Sequence, residues 1–157
     1  MPETLPQEIE HKYLLRALPR IPPPADVLEI QQGYLPGQVL VERLRRQRSR
    51  DGRTRYFRTI KVGSGLQRGE LEEETDERTF EHLWVLTEGK RLTKRRYLVP
   101  EGRDTWEIDE FTDRALFLAE IEVDDAATTI RIPEWLAPVL VRDVTEEKAY
   151  TNRSLAR

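Results

Sequence analysis

The chain has no cysteine, which excludes disulfides and thiolate metal sites and makes a reducing compartment its natural setting. It has no long apolar run: nothing approaches the ~20 residues a helix needs to span a bilayer. The opening stretch MPETLPQEIEHK lacks the basic and apolar regions of a secretory signal. Nor does one sign of charge prevail. Charged residues make up 35% of the chain, yet the net charge is only −3. A nucleic-acid binder would show a basic excess. No internal repeat or low-complexity segment stands out. These absences leave a charged cytoplasmic domain without nucleic-acid or membrane partners, and 157 residues suit one domain spanning the whole chain.

What is present reads as short strands separated by turn signals. Strands are expected at Glu8–Leu15, Glu29–Tyr34, Val39–Arg46, Thr54–Val62, Gly69–Thr75, Arg91–Val99, Asp104–Phe111 and Leu116–Val123. Turn residues between them are Pro36-Gly37, Asp51-Gly52, Gly63-Ser64-Gly65 and Glu101-Gly102. Pro19 to Pro24 reads as a rigid loop. A helix is expected after Asp76, its N-cap, with Phe80, Leu83, Trp84 and Leu86 near helical spacing and Gly89 beyond its end. A short helix is expected from Pro133 to Leu136, and a further turn over Glu146–Ala149 capped by Thr145.

Residues two apart in a strand share a face. Glu8, Glu10 and Lys12 then stand together, opposite Ile9 and Tyr13. Arg43 aligns with Arg45, Thr59 with Lys61, and Glu70 with Glu72 and Glu74. Lys94 aligns with Arg96, Glu107 with Asp109, and Glu120 with Glu122. Two arrangements satisfy this alternation: polar faces turned to water over an apolar core, or a barrel with a polar lumen and an apolar exterior. Faces that are almost purely ionic, some acidic and some basic, favour the second, but the pattern alone leaves both open.

Glu8-Ile9-Glu10-His11-Lys12 resembles the ExExK signature of the CYTH, or triphosphate tunnel metalloenzyme, superfamily. Further segments resemble that family in order: Val41–Arg45, Thr59–Lys61, Glu70–Glu74, Lys94–Tyr97, Trp106–Asp109, Ala119–Glu122, and the tail from Val144 through Tyr150, Asn152 and Leu155. One departure is Ala149, where many relatives carry arginine; Lys148 is a candidate replacement.

The resemblance implies a mainly β (α+β) fold, an eight-stranded antiparallel closed barrel with a few short covering helices. It also implies a tunnel for a linear triphosphate, as in compact bacterial inorganic triphosphatases. Lys12, Arg43, Arg45, Lys61, Lys94 and Arg96 are then the phosphate-binding cations. Carboxylates beside a polyanion require a metal between them, and oxygen ligands suit Mg²⁺ or Mn²⁺. Glu8, Glu10, Glu120 and Glu122 are the expected metal ligands, with Glu72, Glu74, Glu107 and Asp109 behind them or at an additional metal. Lys12, Glu10 and Glu122 are the expected catalytic residues for attack of a metal-oriented water on the terminal phosphorus. Nucleoside or thiamine triphosphates and adenylyl cyclase chemistry are alternatives on the same tunnel. A non-catalytic polyphosphate-binding module is the alternative of another class. A homodimer is one way to cover an apolar outer barrel face.

Overall fold

The computed structural model describes residues 4–63 and 65–157, so Ser64 of the third expected turn lies outside the described residues. Eight strands build the barrel: β1 Gln7–Leu15, β2 Asp26–Tyr34, β3 Val41–Ser49, β4 Thr54–Val62, β5 Gln67–Thr75, β6 Arg91–Glu101, β7 Asp104–Phe111 and β8 Phe117–Glu122. The sheet order is β5-β4-β3-β2-β6-β7-β8-β1, and β1 also pairs with β5, closing the barrel. All of these pairings are antiparallel. A ninth strand not expected from sequence, β9 Leu140–Asp143, pairs with the second half of β1. The closing seam is short, with Gln7 opposite Gly69, Glu8 opposite Arg68 and Ile9 opposite Gln67.

Hairpin chemistry explains the connections. Asp51-Gly52 turns β3 into β4 with Gly52 at φ +84°, and Asp51 Oδ1 accepts from Arg53 N at 3.0 Å. Gly102 at φ +62° does the same between β6 and β7. Helix α1, Glu77–Trp84, begins where expected: Asp76 caps it by accepting from Thr79 N at 2.6 Å. Its buried Phe80 stacks on Trp84 with ring centroids 5.0 Å apart and meets Tyr56 of β4 at 5.1 Å. The helix thereby covers part of the outer wall.

Two of the expected helices differ. Pro133–Leu136 forms turns rather than a helix, and the helical geometry falls on a 3-10 turn at Ala137–Val139. Thr145 caps no helix: its hydroxyl accepts from Lys12 N at 3.0 Å, tying the tail to β1. The helical turns lie further on, a 3-10 turn at Lys148–Tyr150 and α2 at Asn152–Leu155, which Thr151 caps.

Among the described residues, buried apolar side chains form two clusters. The larger joins Ile9, Tyr13, Val99, Trp106, Ile108, Ala119 and Ile121 to Leu136 and flanking loop residues. These strand positions alternate with the charged ones, so this core lies outside the barrel wall, roofed by the segment around 130–140. The smaller cluster contains Tyr34, Leu92, Phe111 and Leu118, which share the faces of Gln32, Lys94, Asp109 and Glu120. It therefore lies inside the barrel, packed with Val144, Tyr150, Leu155 and Ala156 of the tail. The tail plugs one end of the lumen.

Candidate active site

The lumen beyond that plug is ionic. Its central chamber, about 160 Å³, is lined by Glu8, Glu10, Arg43, Arg45, Lys61, Glu70, Glu72, Arg96, Glu107, Glu120, Glu122 and Asn152. Strand register brings them together. Lys12 opposes Glu120 across β1 and β8, Glu120 opposes Glu107 across β8 and β7, and Arg96 opposes Asp109 across β7 and β6. On the other wall Arg43 opposes Thr59, Thr59 opposes Glu72, and Lys61 opposes Glu70.

Of the expected phosphate-binding cations, Arg43, Arg45, Lys61 and Arg96 face the central chamber. Lys12 and Lys94 stand at its plugged end, where Lys12 Nζ donates to Tyr150 O at 3.1 Å and Lys94 Nζ to Asn152 Oδ1 at 3.2 Å. Asp109, fully buried, accepts from Lys94 Nζ at 2.7 Å and from Arg96 Nε and Nη2 at 2.7 and 2.8 Å. It sets the posture of both cations rather than lining the chamber. Arg96 also reaches Glu120 at 3.1 Å and pairs with Glu107. Glu74 lies apart from the chamber, paired with Arg55 at 2.8 Å on the exposed end of β5.

Sequence reasoning passed over two lumen residues, Gln32 and Arg68, and gave no role to two others it had noted, Thr59 and Asn152. Gln32 is fully buried and accepts from Arg45 Nη2 at 3.4 Å; a search for charges misses an amide. Thr59 bridges Arg43 and Glu72, at 3.1 and 2.8 Å. Asn152 comes from the tail, where no strand alternation could reveal it. Arg68 shares its face with Glu70 and Glu72, but the expected strand began one residue too late to include it.

The electrostatics are lopsided. Seven carboxylates and four cations line the central chamber, so its lining carries more acid than base. The carboxylates already feel this excess. Burial, reinforced by Glu120 and Glu8 against the pull of Lys12 and Lys61, pushes Glu10 up to about 7. Burial and a hydrogen bond with Glu70 raise Glu8, and burial with Glu8 and Glu107 raises Glu122. Burial also raises Glu107, against Arg96. Glu120 behaves oppositely: burial pushes it up, but Lys12, Arg96 and Lys94 together hold it well below the usual carboxylate range. Among the cations, burial and Arg96 pull Lys94 down to about 8, and burial with Arg43 and Arg96 brings Arg45 to about 10.

This imbalance is what a hard divalent cation would correct. Glu120 Oε1 lies 3.2 Å from Lys12 Nζ and Glu70 Oε2 lies 3.3 Å from Lys61 Nζ, both buried and both without hydrogen-bond alignment. Spare carboxylate lone pairs and an excess of negative charge fit an oxygen-coordinated ion. The expected ligands are not gathered in advance, however: among the described residues no three acidic or histidine side chains stand close enough to hold an ion. Lys61 and Arg68 intervene, with Lys61 Nζ 3.2 Å from Glu8 and Arg68 Nη2 3.3 Å from both Glu8 and Glu10.

No family model matches the chain. Individual proteins do. It is 38% identical over 157 residues to an inorganic triphosphatase of Nitrosomonas europaea, covering 95% of this chain and 96% of that one. It is 30% identical over 128 residues to an inorganic triphosphatase of Acetivibrio thermocellus, covering 79% and 80%. Its fold matches a crystal structure of an inorganic triphosphatase with TM-score 0.64 and 32% identity, over 98% of this chain and 97% of that one. With its ExExK strand, closed barrel and ionic lumen, the chain belongs to the family of these inorganic triphosphatases.

Proposed function

We propose that this protein hydrolyses inorganic triphosphate to pyrophosphate and phosphate inside the barrel. The observation that carries this reading is a closed lumen in which buried cations and carboxylates face one small chamber. At about 160 Å³ the chamber suits a chain of phosphates and leaves no apolar shelf for a nucleobase or thiazole ring.

Arg43, Arg45 and Arg96 supply forked donors to phosphate oxygens, while Lys12, Lys61 and Lys94 supply compact charge. Their positions are fixed before substrate arrives. Asp109 orients Lys94 and Arg96, Thr59 and Glu72 orient Arg43, and Gln32 orients Arg45. Such preorganised donors need no rearrangement as charge shifts toward the leaving pyrophosphate. Glu8, Glu10, Glu120 and Glu122 would hold Mg²⁺ or Mn²⁺, with Glu72 and Glu107 adjoining them. Such an ion supplies charge neutralisation on the phosphate oxygens and orients the attacking water. The plugged end limits how far the phosphate chain can enter, so Lys12 and Lys94 meet its leading phosphate.

Cytoplasmic residence and a small-molecule partner belong to the same reading. No described helix is long and apolar enough to cross a membrane, and the net charge of −3 offers no basic excess to nucleic acid. Leu40, Val62 and Leu71 are exposed on or beside the outer wall, which makes a homodimer the assembly to examine by sedimentation.

Phosphate release from tripolyphosphate, ATP and thiamine triphosphate, each with Mg²⁺, Mn²⁺ or EDTA, tests the assignment. Fast release from tripolyphosphate that EDTA abolishes is expected, with little from the others. Glu10→Ala and Glu122→Ala should abolish it while keeping the native circular dichroism. Normal turnover in both variants would refute the carboxylate assignment, and no release under any condition would leave a polyphosphate-binding module.

A further inference from the structure

Arg68 stands on the barrel seam, directly opposite Glu8. A single nitrogen, Nη2, touches both Glu8 Oε2 and Glu10 Oε1, each at 3.3 Å. Its Nε is buried with no acceptor. Arg96, in the same lumen, is held quite differently: Nε and Nη2 grip both oxygens of Asp109 at 2.7 and 2.8 Å, and Glu120 and Glu107 add further contacts. Charge-assisted pairs of the strong kind are short and forked. Arg96 is locked, whereas Arg68 rests on its carboxylates through one long, shared contact.

Arg68 also borders a second chamber, of about 300 Å³, lined by Tyr34, Lys61, Lys148, Thr151 and Arg153 among others. Among the described residues, counting Arg68, four cations and no carboxylate line this space. It adjoins the central chamber through Lys61 and Asn152, which border both. A guanidinium that leaves Glu8 and Glu10 toward this side would enter a space lined by cations, where an incoming anion would serve as its counter-charge.

We propose that Arg68 is the resident cation of Glu8 and Glu10, and that a divalent ion displaces it into this basic chamber, where it joins the grip on phosphate. The inference rests on the proposed metal role of those two carboxylates. It assigns Arg68 a positioning role: it holds the ligands in the metal-free protein and turns toward substrate once they are taken. Metal and triphosphate then favour each other's binding, and the coupling is reciprocal by linkage.

The test uses full-length protein and begins with Mn²⁺ titration, followed by electron paramagnetic resonance, without phosphate. Removing the resident charge in Arg68→Gln should tighten Mn²⁺ binding about tenfold, the scale of one lost charged hydrogen bond. Arg68→Lys, which keeps the charge, should stay near wild type. Arginine side-chain NMR gives a readout that long-range charge alone would not produce. The Arg68 Nε–Hε signal, assigned by its loss in Arg68→Lys, should move on Mg²⁺ addition while that of Arg96 stays in place. This second measurement needs only the wild-type fold to be intact. In calorimetry with diimidotriphosphate, a non-hydrolysable probe, Mn²⁺ should raise wild-type affinity by more than it raises that of Arg68→Gln. A stationary Arg68 signal in protein that binds Mg²⁺, or equal Mn²⁺ affinity in wild type and Arg68→Gln, overturns the exchange and leaves the metal site standing. Absence of metal binding in every protein overturns the metal reading and the exchange with it.

Discussion

Replacing Asp109 by asparagine separates the structural role of the lumen charges from their role toward substrate. The carboxylate is fully buried and is a direct counter-charge of two buried cations, Lys94 and Arg96. Asparagine keeps the shape but must turn an N–H toward one of them. Removing one partner of a buried ion pair costs about 3–5 kcal/mol. Arg96 keeps Glu120 and Glu107, while Lys94 keeps, among the described residues, only the Asn152 amide oxygen within hydrogen-bond reach, which places Asp109→Asn near the lower end. At about 2–4 °C per kcal/mol for a chain of this size, roughly 3 kcal/mol lowers Tm by about 6–12 °C. Tripolyphosphate should narrow that gap, because phosphate oxygens supply the missing counter-charge and stabilise the folded state by mass action. Differential scanning calorimetry in EDTA, which prevents metal-dependent turnover, with and without saturating tripolyphosphate, measures both effects. A variant melting within about 2 °C of wild type would show that Asp109 is not what holds the cations, on the same scale of degrees per kcal/mol. A full gap that persists in tripolyphosphate would show that phosphate does not reach Lys94 and Arg96.

The remaining expectations test other parts of the molecule. Burial and Arg96 bring Lys94 down to about 8, so metal-free affinity for tripolyphosphate, by calorimetry in EDTA, should fall as pH rises through that value. Tripolyphosphate itself gains negative charge over this range, so the loss must come from the protein, and Lys94→Arg should remove it. The same lowered value means that the folded protein sheds this proton before the unfolded chain does. Its contribution to stability therefore rises from about pH 8 toward the ordinary lysine range. Phe80→Ala, on the outer wall, should cost about 3–5 kcal/mol by chemical denaturation and leave turnover per folded molecule unchanged. Gly33→Ala would place a methyl 2.7 Å from Thr87 Cβ and 3.0 Å from Trp84 Cζ3, so α1 and the turn after it must lift. Overpacking of this kind costs about 1–3 kcal/mol, and thermal melting without a Tm loss would refute the contact.

The strands were legible in the sequence because alternation is a local property of the chain, whereas the barrel followed from the family resemblance. Thr54–Val62 and Asp104–Phe111 coincide with β4 and β7, and Asp76 announces α1 through a cap formed within its own first turn. Legibility ended where partners come from afar. β9 is only four residues long and forms against β1, across more than a hundred residues of chain, so its own sequence carries little strand signal. Thr145 looked like a cap because a hydroxyl before acidic residues favours one locally, yet Lys12 N claims it instead. The same limit applied inside the site. Charge alternation grouped most acids and bases on common strand faces, but it could not distinguish a carboxylate facing the chamber from one engaged elsewhere. Glu72 and Glu74 share one strand face, yet Glu72 engages Arg43 in the lumen while Glu74 pairs with Arg55 at the exposed rim. Nor could it show that the expected metal ligands would be spaced by Lys61 and Arg68. A period of two says which way a side chain points, whereas its partner is set by register and closure. In this barrel the closing register at Glu8 and Arg68 is the step that turns a charged face into a site.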